Sequence, residues 1–203
     1  MKSTHPYPPF IPAGATLLII GTIPPARFCT VGAKELSATD VDFYYGSKDN
    51  AFWGIIGEVF GEHLEKSNTT KAIEDRKNFL TRHGIGITDI ISECTRENQA
   101  ASDDKLDVIS RKELGQLLFE YPSITTLIYT SEFVKKEVNK LLGAYHLIDP
   151  ENKKKQSVKI NGKLYQVRIL FSPSPSGLRR LGIDGRGKRL NQWREFLTEG
   201  KGI

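Results

Sequence analysis

A chain of 203 residues with 38% apolar and 26% charged residues has the composition of one globular domain, spanning 1–203, that buries a core without staples. No run approaches the roughly 18 apolar residues of a membrane span, and MKSTHPYPPFIPAG is too proline-rich for a signal peptide, so the chain is expected in the cytoplasm. The net charge of +5 favours a polyanionic partner, and two cysteines, Cys29 and Cys94, are too few for an iron–sulfur cluster or a disulfide framework.

The predicted elements alternate. Ala15–Gly21 is a short apolar run closed by glycine, apolar on both faces, as a buried parallel strand is. Apolar residues at helical spacing predict helices over Ala51–Phe60, Lys71–His83, Arg111–Glu120 and Glu132–Leu142. Thr125–Thr130 reads as a second buried strand. A hairpin follows, with strands at Ser157–Ile160 and Gln166–Phe171 around an Asn161-Gly162 turn. Gly187–Leu197 closes the chain as an amphipathic helix with Leu190, Trp193, Phe196 and Leu197 on its apolar side. This alternation predicts an α/β fold, a three-layer α/β/α sandwich with a mostly parallel central sheet. Its chemistry is expected at the carboxyl ends of the strands.

Two loops there are unusual. The first, Gly21-Thr22-Ile23-Pro24-Pro25, is stiffened by two prolines, and its glycine permits close backbone approach. It has the glycine spacing of neither a Walker loop nor a dinucleotide fingerprint. The second, Ser172-Pro173-Ser174-Pro175-Ser176-Gly177-Leu178, offers short hydroxyls and backbone N–H groups suited to phosphate oxygens. Leu178 is followed by Arg179 and Arg180, the setting of an apolar wedge between bases. From 172 to 189, five cations (Arg179, Arg180, Arg186, Lys188 and Arg189) face Asp184 alone, and Lys153–Lys155 form a second basic cluster. Between the loops, residues 43–53 (FYYGSKDNAFW) carry five aromatics. Phe52 and Trp53 open an apolar helix face and read as core. Asn50 stands where a helix N-cap would, and its amide is also equipped to read a base edge or hold a water. Asp89 is a candidate for ordering the loops. No His/Cys/Asp cluster has ligand spacing, so neither a metal nor a cofactor is implied.

Together the segments IIGTIPP, FYYGSKDNAFWGIIGEVFG, HGIGITDIISECTRE and LFSPSPSGLRRL, spanning residues 19–181, resemble the uracil-DNA glycosylase superfamily. The likeness is greatest to its hypoxanthine-DNA glycosylase group and next to the mismatch-specific uracil/thymine enzymes. The resemblance implies excision of a deaminated or mismatched base, hypoxanthine or uracil, from DNA by hydrolysis of its N-glycosidic bond, without strand cleavage, by a monomer. It makes Asn50 the catalytic residue, Tyr45 the ring that stacks on the flipped base, and Leu178 the wedge. It places Gly21, Thr22, Ile23 and Ser174 around the base, and Ser172, Ser176, Gly177, Arg179 and Arg180 on the DNA strand. Two departures stand out: Ile23 replaces the first-loop asparagine of the mismatch-specific enzymes, and Ser172 replaces the second-loop histidine of the classical uracil enzymes. These substitutions leave an alternative, a non-catalytic nucleic-acid-binding module on the same fold.

Overall fold

The computed structural model describes residues 2–29, 35–96, 106–143, 146–148 and 156–198. In chain order its elements are β1 (Lys2–Thr4), β2 (Leu17–Gly21), α1 (Phe52–Phe60), α2 (Thr70–Arg82), β3 (Ile85–Asp89), β4 (Ile91–Arg96), β5 (Leu106–Arg111) and α3 (Leu114–Glu120). There follow β6 (Thr126–Tyr129), α4 (Glu132–Leu142), β7 (His146–Ile148), β8 (Gln156–Ile160), β9 (Lys163–Ile169), α5 (Pro175–Arg180) and α6 (Gly185–Thr198). Among the described residues the main sheet has six strands in the order β3-β2-β6-β9-β8-β7. The β3, β2, β6 and β9 strands run parallel, and β8 pairs antiparallel with both β9 and β7.

Strand periodicity divides the core in two. Leu17 and Ile19 of β2 face one layer, built with Phe52, Trp53 and Ile56 of α1, Phe79 of α2, and Trp193 and Leu197 of α6. Leu18 and Ile20 face the other, with Leu114 and Leu118 of α3 and Val134 and Val138 of α4. This is the expected α/β sandwich, and Phe52 and Trp53 are core as predicted. The Asn161-Gly162 turn has both residues at positive φ, 49° and 82°, as a two-residue hairpin requires.

Several elements differ from the reading of the sequence. Residues 106–111 form β5, and the expected helix from Arg111 begins only at Leu114. β1, β4 and β5 make a separate three-stranded antiparallel sheet in which Cys94 is buried. β3, absent from the expected elements, pairs with β2 from Leu17↔Ile85 to Gly21↔Asp89. The Ser/Pro loop turns into a short helix, α5, capped by Ser174. Lys153–Lys155 lie outside the described residues.

Candidate active site

The carboxyl ends of the four parallel strands converge on a cleft of about 720 Å³. β2 contributes Thr22 and Ile23, β3 contributes Asp89, β6 is followed by Thr130, and β9 leads into Ser172. This is where an open parallel sheet places its ligands. Tyr45, Asn50, Ser174, Ser176 and Arg180 also line the cleft. Gly177, Leu178 and Arg179 stand outside its lining, on α5.

One wall is the segment from Asp40 to Asn50. Asp40 is fully buried and accepts from Arg27 Nε at 3.1 Å and Arg27 Nη2 at 2.9 Å. It also accepts from the backbone N–H groups of Ser37 (2.9 Å) and Lys48 (2.7 Å). Burial alone would raise its pKa; the Arg27 hydrogen bonds, the two N–H groups and the Arg27 charge outweigh this and hold the carboxyl well below the usual range. Arg27 Nη2 reaches Ser47 Oγ at 2.8 Å, so one buried ion pair fixes the loop that leads into Asn50.

Tyr45 has φ 54°, a left-handed backbone uncommon for an aromatic residue. One face of its ring stacks on Phe52 at 4.2 Å and 9°. Thr130 Oγ1 donates to the Ile20 carbonyl at 3.3 Å, so the Tyr45 hydroxyl is the donor to Thr130 Oγ1 at 3.0 Å. Gly21 explains why this ring fits: a methyl group at its Cα would overlap both the Tyr45 hydroxyl and Asp89 Oδ1. Gly21 therefore does not line the cleft itself; it makes room for the two polar groups that do.

The helix of Asn50 starts one residue later than expected, with Ala51 at the cap position, but Asn50 still performs the local capping task. Its Oδ1 accepts from the Phe52 N–H at 2.9 Å. A backbone donor at that distance identifies the oxygen and leaves Nδ2 as the amide's donor end. The Lys66 ammonium holds the Asn50 carbonyl at 3.2 Å and the Lys48 carbonyl at 2.8 Å.

The opposite wall is a chain of hydroxyls. Ser172 Oγ donates to Ser174 Oγ at 3.0 Å, and Ser174 Oγ caps α5 by accepting from the Gly177 N–H at 3.0 Å. With those two donors on it, the Ser174 hydroxyl turns its own proton to Ser176 Oγ, also 3.0 Å away. The proton of Ser176 is then the one the chain leaves for a further acceptor. α6 clamps this wall from behind: Trp193 Nε1 donates to the Phe171 carbonyl at 3.0 Å and Arg189 Nη2 to the Ser174 carbonyl at 3.2 Å. The two walls meet where the Ala51 N–H donates to the Pro173 carbonyl at 3.1 Å.

The basic run following the second loop is less uniform than its sequence suggests. Arg189 is buried and structural, and Arg186 pairs with Glu58 at 3.1 Å. Arg179, Arg180 and Lys188 are exposed. Leu178 is 38% exposed rather than tucked into the core. Beside it Ile183, which the sequence reading passed over, is 95% exposed between Gly182 and Asp184, both at positive φ.

Sequence reasoning named Asp89 but missed its partners beneath the cleft. His5 Nε2 lies 2.8 Å from Asp89 Oδ2, both side chains almost wholly buried. Lys112 Nζ lies 3.2 Å from His5 Nδ1 and donates to the Tyr7 carbonyl at 2.9 Å. Burial draws the Lys112 ammonium down to about 8, against an opposing pull from Asp89. No spacing in the sequence links residues 5, 89 and 112; the small sheet brings them together. Among the described residues no group of three or more His, Cys, Asp or Glu could hold a metal ion, and no helix is long and apolar enough to cross a membrane.

Comparison with known proteins agrees with this architecture. No family model matches the chain. A hypoxanthine DNA glycosylase of Methanosarcina barkeri (strain Fusaro) is 28% identical over 105 residues, a match covering 52% of this chain and 58% of the relative. The solution NMR structure of a candidate uracil DNA glycosylase from Methanosarcina acetivorans superposes with a TM-score of 0.65 at 18% identity, covering 98% of each chain, and so shares the fold. The chain is thus similar in sequence, over about half its length, to a hypoxanthine-DNA glycosylase, and similar in fold to a uracil-DNA-glycosylase-type neighbour.

Proposed function

We propose that the protein is a monofunctional DNA glycosylase that flips a deaminated base, hypoxanthine or uracil, into this cleft and hydrolyses its N-glycosidic bond. The observation that carries the reading is Asn50: an amide at the mouth of a helix, fixed by its own Oδ1 contact to the Phe52 N–H, with its Nδ2 donor end left for a ligand. In this reading Arg179, Arg180 and Lys188 hold phosphates, and Ser172, Ser176 and Gly177 bend the strand. Leu178 fills the gap left by the extruded nucleotide. The base packs against Tyr45 and the backbone of Thr22 and Ile23, with Ser174 shaping the facing wall. Asn50 Nδ2 donates to the base oxygen that gains negative charge as the glycosidic bond lengthens. A fixed donor of this kind is worth on the order of 3 kcal/mol in the transition state. The second lone pair of Asn50 Oδ1 can hold the attacking water. Water is the acceptor in this reading and the strand stays intact, so breaks appear only after alkali; Lys136 is the lysine among the described residues that line the cleft.

Ile23 and Ser172 favour one other reading, since neither supplies a polar amide or an imidazole to the base. That reading is a nucleic-acid-binding module without chemistry. Labelled duplexes containing hypoxanthine, uracil, G:T or G:U, incubated with the protein and then treated with alkali, separate the two. Breaks at hypoxanthine or uracil support the enzyme. Binding without breaks supports the module, and no binding at low salt removes both.

A further inference from the structure

Three side chains of α6 brace the backbone around the second loop. Gln192 Nε2 donates to the Ile169 carbonyl at 3.3 Å, and its Oε1 accepts from the Phe171 N–H at 2.6 Å. Trp193 Nε1 donates to the Phe171 carbonyl at 3.0 Å. Both of these groups are neutral. The third is Arg189, 2% exposed, whose Nη2 donates to the Ser174 carbonyl at 3.2 Å. That hydrogen bond accounts for its position but not for its charge, since a neutral amide does the same task at Gln192. Arg189 Nε is buried without an acceptor. No carboxylate among the described residues pairs with it, and burial lowers its pKa with no acid opposing the shift. Arg76, also buried with an orphan Nε, is better served. Its Nη1 has the Glu65 and Ala72 carbonyls, its guanidinium lies over Trp53, and Asp75 supplies a negative charge. A guanidinium stays ionised, so burying one without a counter-charge destabilises the fold unless an anion arrives from outside it.

The hydroxyl chain of the second loop shows where that anion would lie. Ser172, Ser174 and Ser176 pass their protons in one direction and leave the proton of Ser176 for an acceptor on the cleft side. Arg189 stands behind the same loop, bonded to the residue in the middle of that chain. We propose that Arg189 is the buried counter-charge for a DNA phosphodiester held by the second loop, acting on it through the loop without touching it. The fold leaves the guanidinium uncompensated, and the bound phosphate completes the pair. A charge held inside the protein is screened little by water and salt, whereas the exposed Arg179 and Arg180 are screened strongly. Arg189 is thus a positioning residue: it fixes the loop by its hydrogen bond and sets the electrostatic potential there before DNA arrives. The inference rests on the second loop being the wall that grips DNA, and it holds whether or not a base is then excised.

The test is a cycle between the charge of Arg189 and the charge of the phosphate, read as binding rather than cutting. Duplexes carry non-cleavable 2′-fluoro deoxyinosine, and each nearby phosphate of that strand is replaced in turn by a neutral methylphosphonate. At the phosphate on the second loop, the replacement should weaken wild-type binding about tenfold and Arg189→Met binding less than about twofold. Arg189→Met should bind the unmodified duplex about tenfold more weakly than wild type. Its urea midpoint should nonetheless equal or exceed the wild-type value, because an unpaired buried charge has been removed. A lower midpoint together with equal methylphosphonate penalties in the two proteins is the pattern of a brace alone, and it overturns the proposal. Equal penalties at every position overturn it at any stability. Should Arg189→Met fail to fold, Arg189→Gln takes its place in the same cycle, since its amide can still donate to the Ser174 carbonyl. Coupling of the two charges with no alkali-labile breaks would sink the enzyme reading and leave this one. Breaks without coupling would do the reverse, and no binding at low salt overturns both.

Discussion

The two walls of the cleft are built on opposite principles. The wall from Asp40 to Asn50 is over-determined: a buried ion pair, two backbone N–H groups on one carboxylate, a stacked tyrosine and a lysine on two carbonyls. The wall from Ser172 to Arg180 is held by its own hydroxyls and by α6, and it presents Leu178, Arg179 and Arg180 to solvent. A group that must meet one base oxygen needs fixed geometry before the base arrives, because a 1 Å error costs on the order of 100-fold in rate. A group that meets a strand of variable sequence needs charge and exposure more than fixed geometry.

Substitutions on the two sides should therefore fail differently. The largest effect is expected at Gly21→Ala, whose methyl overlaps the Tyr45 hydroxyl and Asp89 Oδ1. Excision should fall by about 100-fold or more, while salt-dependent DNA binding by the opposite wall persists in an electrophoretic titration.

Asp40→Asn should come next, lowering stability in urea by about 2–3 kcal/mol; Arg27 is one-third exposed, which keeps the cost below that of a fully buried pair. It should also change the acid limb. A carboxylate with a depressed pKa stabilises the fold above its ordinary titration range, and that contribution is lost as pH falls through the folded value. The wild-type protein should lose stability below about pH 4 more steeply than the variant.

On the exposed wall, Arg179→Ala should leave the melting temperature unchanged and reduce the slope of log binding constant against log salt by about 0.9, one phosphate contact. Smallest is Leu178→Ala. At 38% exposure its stability should move by no more than about 0.5 kcal/mol, with a decrease in excision confined to paired rather than single-stranded substrate. A Leu178→Ala protein that still acts fully on duplex would shift the wedge to the neighbouring Ile183.

The parts legible in the sequence were those written in local periodicity. β2, β6 and the β8–β9 hairpin carry runs of apolar, β-branched residues, and α4 was bounded by Ser131 and Gly143 where the pattern placed it. β3 escaped because Gly84 and Gly86 interrupt its apolar run. β5 escaped because its polar alternation belongs to a half-exposed sheet, and it was absorbed into the helix that follows. At the site, the loops were visible through proline and glycine. What holds them was not: Arg27 with Asp40, and His5 with Asp89, are pairings over 13 and 84 positions that only the folded chain creates. Ser174 and Arg189 illustrate the opposite error, since residues that look free to meet DNA make contacts within the fold, Ser174 Oγ with the Gly177 N–H and Arg189 Nη2 with the Ser174 carbonyl.

The central claim is that Asn50 acts on the base from the rigid wall. Its most direct test is single-turnover excision on a hypoxanthine duplex by wild-type protein and Asn50→Ala, with binding to the same duplex measured alongside. The account predicts alkali-labile breaks with the wild-type protein, a rate at least about 100-fold lower in the variant, and affinities that agree within a small factor. Turnover by Asn50→Ala at the wild-type rate would contradict it.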